Sequence, residues 1–156
     1  MRVWRRDGQR FMANFTRGSA PSKRGIMVWL ALRSDGQSKL IRCPPTVDSV
    51  SYQTSILTPS LSFIKGGRAS NSHVWFQQDN ASPHVSRSTT AWMAQKGVRV
   101  LPNWPPNSPD LNVVEHAWAW IARKLVGKTF PTDDALWDGV QDAWACQIVG
   151  VNSPSP

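Results

Sequence analysis

Asp79 and Glu115 form the pattern in this chain best suited to chemistry. Asp79 closes the apolar run Val74-Trp75-Phe76-Gln77-Gln78, and Glu115 stands just inside a helix-like run, with 35 residues between them. Glu115 is also the only glutamate in the sequence. Carboxylates delivered from a strand end and a helix start can share divalent metal ions, the apparatus for cutting and joining phosphodiesters. Two carboxylates about 4 Å apart repel by roughly 4 kcal/mol at an effective dielectric of about 20, so clustering needs bound cations, and a pair of ions calls for a further acid to bridge it. Each residue also has an ordinary reading. Asn112-Val113-Val114-Glu115 has capping-box spacing, with Glu115 reaching back to the Asn112 amide, and Asp79 can simply start the turn Asn80-Ala81-Ser82-Pro83.

The elements that must position this pair follow from periodicity. Residues 1–25 are basic, polar and lack a sustained period, so they read as mostly loop, with a short strand at Val3-Trp4-Arg5. Ile26 to Leu32 is continuously apolar, as in a strand buried on both faces. Ser34-Asp35-Gly36 turns it into a second strand at Lys39 to Cys43. A helix is expected from about Val47 to Phe63, kinked or ended by Pro59. His73 to Gln78 and Val98 to Leu101 read as strands around a helix at Ser86 to Lys96. Pro102, Pro105, Pro106 and Pro109 stiffen the next connection, which serves equally as a rim for a DNA channel, with Trp104, or as a rigid strand-to-helix link. Val114, Ala117, Trp118, Ile121, Ala122 and Leu125 make one apolar helical stripe, and Thr132-Asp133-Asp134 opens a last helix through Trp144. A hairpin followed by alternating strands and helices gives an α/β domain with a mixed sheet, residues 26–150, ahead of a disordered tail at 151–156.

Composition sets the partner class. Eighteen Lys and Arg against ten acids give a formal charge of +8, and Arg2, Arg5, Arg6, Arg10, Arg17, Lys23 and Arg24 meet only Asp7. Such a balance suits a polyanion, since each neutralised phosphate releases counterions, although a basic arm that only aids solubility fits the charge equally. The nine Trp are expected mostly in the core. Cys43 and Cys146 have neither disulfide-framework nor zinc-site spacing. No run approaches the roughly 20 apolar residues of a membrane span, and no apolar stretch follows the charged start, so neither a membrane partner nor secretion is expected.

Phe76-Gln77-Gln78-Asp79-Asn80-Ala81-Ser82-Pro83-His84, followed by Leu101-Pro102-Asn103-Trp104-Pro105-Pro106-Asn107-Ser108-Pro109-Asp110-Leu111-Asn112-Val113-Val114-Glu115-His116-Ala117-Trp118, resembles the catalytic core of mariner-type DDE transposases. Weaker similarity runs from Val3-Trp4-Arg5 through Met27-Val28-Trp29 to Trp137 and Trp144. The resemblance implies an RNase H-like fold, Mg2+ or Mn2+ ions, and strand cleavage and transfer at transposon ends. It makes Asp79 the second and Glu115 the third carboxylate of the triad, both as metal ligands. It implies DNA as partner, contacted by Arg5, Arg6, Arg10 and His84, a homodimer in the full-length family, and a nuclear location in a eukaryote or a cytoplasmic one otherwise. His84 matches a family histidine that either positions phosphate or caps the following helix. His73 and His116 read as solvated or packing residues.

The departures from the family pattern are informative. The family's first catalytic Asp precedes the Val-Trp-Arg segment with which this chain starts, so the first carboxylate is expected to be missing. Asp7 and Asp35 are poor substitutes because each precedes Gly in a turn context, and Asp48 sits where the family has a helix start. Asn103 looks like one extra residue in the family's spacing, and Val113 replaces a usual Pro. The strand that would carry the first Asp is central to an RNase H-like sheet, between the strand of Trp29 and the one ending at Asp79. Without it two buried edges lack partners, and a domain of marginal stability is expected, against which a cooperative thermal unfolding transition well above about 50 °C would count. The function expected is that of a DDE catalytic-domain fragment inactive alone, with a non-catalytic nucleic-acid-binding remnant as the alternative.

Overall fold

The computed structural model describes residues 25–66, 74–105 and 111–151, with side chains as far as residue 146. Arg5, Arg6, Arg10, Asp7, His73, Asp110 and the tail at 152–156 lie outside the described residues. Two compact units divide the chain, one holding Met27–Ser108 and the other Pro109–Pro156.

In the first unit β1 (Val28–Leu32) pairs antiparallel with β2 (Ser38–Arg42), in a register that sets Leu30 opposite Leu40. The turn is made by Gly36, whose φ of 82° lies in the left-handed region, while its N–H donates to Arg33 O and Arg33 N–H donates to Gln37 O. A type I turn followed by a left-handed glycine is a standard route for a three-residue hairpin loop. Only Leu30 and Ala31 of β1 are fully buried, so the continuous apolar run overstates its coverage.

The helix expected near residues 47–63 forms as a continuous stretch: α1 (Ser49–Ser51), a π-helical turn (Tyr52–Leu57) and α2 (Thr58–Ile64). Asp48 starts it with a capping box: its carboxylate accepts from Ser51 N–H at 2.7 Å, and the Ser51 hydroxyl accepts from Asp48 N–H at 2.8 Å. These bonds hold the Asp48 carboxyl below its usual range. Pro59 neither ends the stretch nor breaks it. Thr58 gives its N–H and its hydroxyl to the carbonyl of Gln53, five residues back, so the widened turn closes just before the proline. Pro59 then stands in the first turn of α2, where its missing N–H costs nothing.

After the short α3 (Ser82–Val85), α4 (Arg87–Gln95) is capped by the Ser86 hydroxyl, which accepts from Thr89 N–H. It ends in a Schellman motif: Gly97, at φ 67°, donates to Ala94 O, and Val98 donates to Met93 O. Met93 and Val98 both enter the core beside Cys43, Tyr52, Ile56, Leu57 and Ile64, with Trp29, Val47, Leu61, Phe76, Trp92 and Val100 packed around them. Burying a side chain such as Leu57 contributes about 1.5–3 kcal/mol.

The strands read at residues 73–78 and 98–101 shrink to one parallel bridge, Phe76 with Val100. Phe76 N–H donates to Arg99 O at 2.7 Å and Leu101 N–H donates to Phe76 O at 2.9 Å. Among the described residues β1 and β2 pair only with each other, and this bridge stands apart from them.

In the second unit α5 (Val113–Leu125) packs on α6 (Asp133–Val151). The apolar stripe behaves as expected, Ala117 and Ile121 being buried and Val114, Trp118, Ala122 and Leu125 half-buried. Trp120 Nε1 donates to Ala143 O at 3.3 Å, and Arg123 and Lys124 lie against its ring. Thr132 opens α6 as its spacing predicts, its hydroxyl accepting from Ala135 N–H. Phe130 lies so close to Gly139 that a Cβ there would stand 2.5 Å from the ring. Of the described tryptophans only Trp144 is buried, Trp75 is exposed and the others are half-buried; so large a ring seldom finds complete cover. No described helix is long and apolar enough to cross a membrane.

Candidate active site

Asp79 lies in the first unit and Glu115 in the second. Asp79 follows the Phe76 bridge by three residues, where the backbone leaves its pairing and turns toward α3. The ordinary reading of its spacing is realised, because Oδ1 accepts from Ala81 N–H at 3.1 Å and so opens the turn. The same oxygen also meets His84 Nδ1 at 2.6 Å. The carboxylate is nevertheless 57% exposed, so it is held in place while still facing solvent.

His84 is held from three directions. Its ring lies on that of Tyr52, with centroids 4.4 Å apart and a 33° tilt. Its carbonyl accepts from Gln78 Nε2 at 3.2 Å, and its N–H donates to Ala81 O at 2.8 Å. Gln78 is fixed in turn by the Tyr52 hydroxyl, which donates to its Oε1 at 3.0 Å. Tyr52 is 1% exposed, and burial above all, then the negative charge of Asp79, pushes its hydroxyl well above the usual tyrosine range. Next door, Gln53 reaches Ser88 and Thr89 on α4, and Asn80 Nδ2 donates to Trp104 O at 3.1 Å, tying the Asp79 turn to the proline-rich connector. Asn103 in that connector takes a left-handed φ of 57°, which asparagine tolerates better than most residues.

Glu115 is half-buried in the first turn of α5, where a negative charge complements the helix N-terminus. Asn112 caps that turn: its side chain accepts from Val114 N–H at 3.3 Å and its carbonyl from Glu115 N–H at 2.9 Å. His116 is exposed.

Of the acids named as replacements for a further carboxylate, Asp7 lies outside the described residues and the other two are engaged elsewhere. Asp35 pairs with Arg33 at 2.5 Å in the hairpin turn, and Asp48 caps α1. Among the described residues no three His, Cys, Asp or Glu side chains gather as a metal site.

Tyr52 and Gln78 do not stand out as site residues from motif spacing. A signal exists in the strand period: Gln78 falls on the same face as Phe76, which packs against the core, and a polar group there demands a partner. The partner is the chain's sole tyrosine.

The family model for the DDE superfamily endonuclease matches residues 1–137. The chain belongs to this family. As a DDE family member it is 33% identical over 121 residues to the Transposable element Tc3 transposase of Caenorhabditis elegans, a match covering 76% of this chain and 36% of that protein. It is 31% identical over 123 residues to the Tc1 transposase of the same organism, covering 76% of this chain and 42% of the relative. The chain thus spans less than half the length of these relatives. Its backbone is similar to the crystal structure of the Mos1 strand transfer complex, with a TM-score of 0.60 and 19% identity over 100% of this chain and 51% of that one. It is similar also to the Mos1 transposase catalytic domain with Raltegravir and Mg, with a TM-score of 0.50 and 16% identity over 84% of each chain. The DDE chain therefore has an RNase H-like α/β fold of the mariner type.

Proposed function

We propose that this chain supplies part of the catalytic domain of a DNA transposase, whose reaction is metal-dependent cleavage of DNA at transposon ends and transfer of the cut strand. The observation that carries the reading is Asp79, an exposed carboxylate pinned at Oδ1 by two donors, within the stretch matched to the DDE family. Glu115 at the head of α5 is the second acid of the same motif.

The donor chemistry suits the ions the family implies. Asp79 and Glu115 offer hard carboxylate oxygens, which Mg2+ and Mn2+ prefer to softer ligands. By the family resemblance each of these residues would serve as a metal ligand, and divalent ions in such sites neutralise charge on the attacking and leaving oxygens of the phosphodiester. The chain's own part is to present Asp79 in one orientation and to place Glu115 at a helix start. Arg5, Arg6 and Arg10 would hold the DNA backbone, consistent with the basic balance of the sequence.

We propose further that the chain does not cut DNA alone, because Asp35 and Asp48 are committed to the hairpin turn and to the α1 cap. A nicking assay on supercoiled plasmid with Mg2+ or Mn2+, run beside salt-dependent DNA binding, tests both statements. Binding that weakens steeply with salt and no nicking is the expected result. Metal-dependent nicking lost in Asp79→Ala would overturn the inactivity, and DNA binding absent even at low salt would overturn the partner. Salt-sensitive DNA binding with no nicking and no Mn2+ binding by the chain would favour a non-catalytic nucleic-acid-binding remnant.

A further inference from the structure

We propose that His84 is a positioning residue for Asp79: its Nδ1–H donates to Oδ1 and, together with Ala81 N–H, fixes the carboxylate in one rotamer before any ion arrives. What the orientation serves rests on the functional reading above; the orientation itself rests on geometry alone.

Two donors meet on a single oxygen. His84 Nδ1 stands 2.6 Å and Ala81 N 3.1 Å from Asp79 Oδ1, and they approach from a side chain and from the backbone. One bond leaves a carboxylate free to pivot, whereas two bonds to one oxygen define its torsion. The 2.6 Å separation is that of a short charge-assisted bond. An ionised carboxylate has no proton to give, so the shared proton belongs to Nδ1. The bond partner of one ring nitrogen thereby sets the tautomer of the whole ring.

The imidazole is in turn prevented from swinging away. Tyr52 lies under the ring, Tyr52 OH holds Gln78, and Gln78 Nε2 holds the His84 carbonyl, which closes a circuit from the core to the carboxylate. Tyr52 at 1% exposure and its neighbours Ile56 and Leu57 belong to the best-buried part of the unit. The circuit therefore ties an exposed acid to the best-buried part of its surroundings. Donors of this kind behind a metal-binding carboxylate or histidine typically change metal affinity by about 10–100-fold when removed. With Nδ1 committed to Asp79, contact with a phosphate is left to Nε2 alone.

The full chain can be tested by long-range 15N–1H NMR of the histidines and by Mn2+ titration followed by electron paramagnetic resonance. His84 is expected as the Nδ1–H tautomer, shifting toward Nε2–H in Asp79→Ala. Mn2+ affinity should fall about 10-fold in His84→Ala. It should recover in His84→Asn, whose amide N–H lies near the Nδ1 position, and stay low in His84→Gln, whose amide reaches instead toward Nε2. An Nε2–H tautomer in the wild-type chain would overturn the proposal, as would equal Mn2+ affinity across the variants. If wild type binds no Mn2+ yet shows the Nδ1–H tautomer, the metal reading fails and the positioning role stands. Retained burial of Tyr52, followed by its ultraviolet absorbance, shows that a variant has kept its fold.

Discussion

Replacing Tyr52 by Phe removes one oxygen from the centre of the candidate site and leaves almost everything else in place. The ring remains, so the stack on His84 and the contacts within the core persist and no cavity opens. What is lost is the 3.0 Å bond to Gln78 Oε1, whose acceptor is left without that donor. Stranding such a group costs about 1–3 kcal/mol. With a urea dependence of about 1–3 kcal/mol per molar, the unfolding midpoint should fall by on the order of 1 M with an unchanged slope. Alkaline pH supplies a second arm. Because the folded-state pKa of Tyr52 is raised, its contribution is fully present below the unfolded value of about 10 and is lost as pH rises beyond it. Wild-type stability should therefore decline more steeply than that of Tyr52→Phe above pH of about 10. Tyr52 is the only tyrosine, so tyrosinate absorbance reads it without interference from another phenol. A midpoint unchanged by Tyr52→Phe, together with a folded-state titration at the ordinary tyrosine value, would refute the closed circuit from Tyr52 to His84.

Three other outcomes follow from single sites. Cys43 is buried and its thiol is pushed up to about 11, mainly by that burial, whereas Cys146 is exposed; a thiol reagent at pH near 8 should modify one cysteine quickly and the second only in denaturant. Asp48 has a lowered pKa, so its contribution is present above the unfolded value of 3.8 and disappears as pH falls through the lower folded value. Asp48→Asn keeps an acceptor for Ser51 but cannot titrate, and acid denaturation curves should show a shallower loss for it than for wild type. Gly139→Ala would place a Cβ 2.5 Å and 2.8 Å from two atoms of the Phe130 ring. The overpacking should cost about 1–3 kcal/mol and outweigh the helix-propensity gain of roughly 1 kcal/mol. Thermal denaturation checks this, and Phe130→Leu in the same chain should relieve much of the loss.

Elements whose signals are local were legible in the residues. The Ser34-Asp35-Gly36 turn, the Ser86 start of α4, the α5 stripe and the Thr132 start of α6 each depend on a few adjacent side chains, and each occurs where those residues lie. Strands are different, because an apolar run such as Val74 to Phe76 becomes a ladder only if another chain segment lies alongside to bond it. Phe76 meets Val100 at one bridge, and apolarity alone could not reveal how far that pairing would extend. Pro59 misled for a related reason: the rule against proline in a helix assumes α geometry, and the π turn before it changes which carbonyl the ring must clear. At the site, the Asp79 motif was visible in sequence, whereas Tyr52 was not and Gln78 showed only as a polar group on the core face of its strand. Their importance arises from a contact between residues 26 positions apart, which no local spacing encodes.

The π turn also corrects a mismatch of phase. Tyr52 and Ile64 are both buried, although twelve positions of ordinary α-helix would leave them roughly 120° apart around the axis. Absorbing one residue into a wider turn removes about 100° of rotation and brings the two side chains back toward the same side. One uninterrupted helix can thus keep Ile64 in the core while aiming the Tyr52 ring at His84. Deleting one residue from Tyr52–Leu57 would close the wide turn into ordinary α-helix, whose eleven remaining positions again leave the two side chains about 20° apart, whereas inserting one would turn the ends about 100° out of phase and swing the tyrosine off its mark.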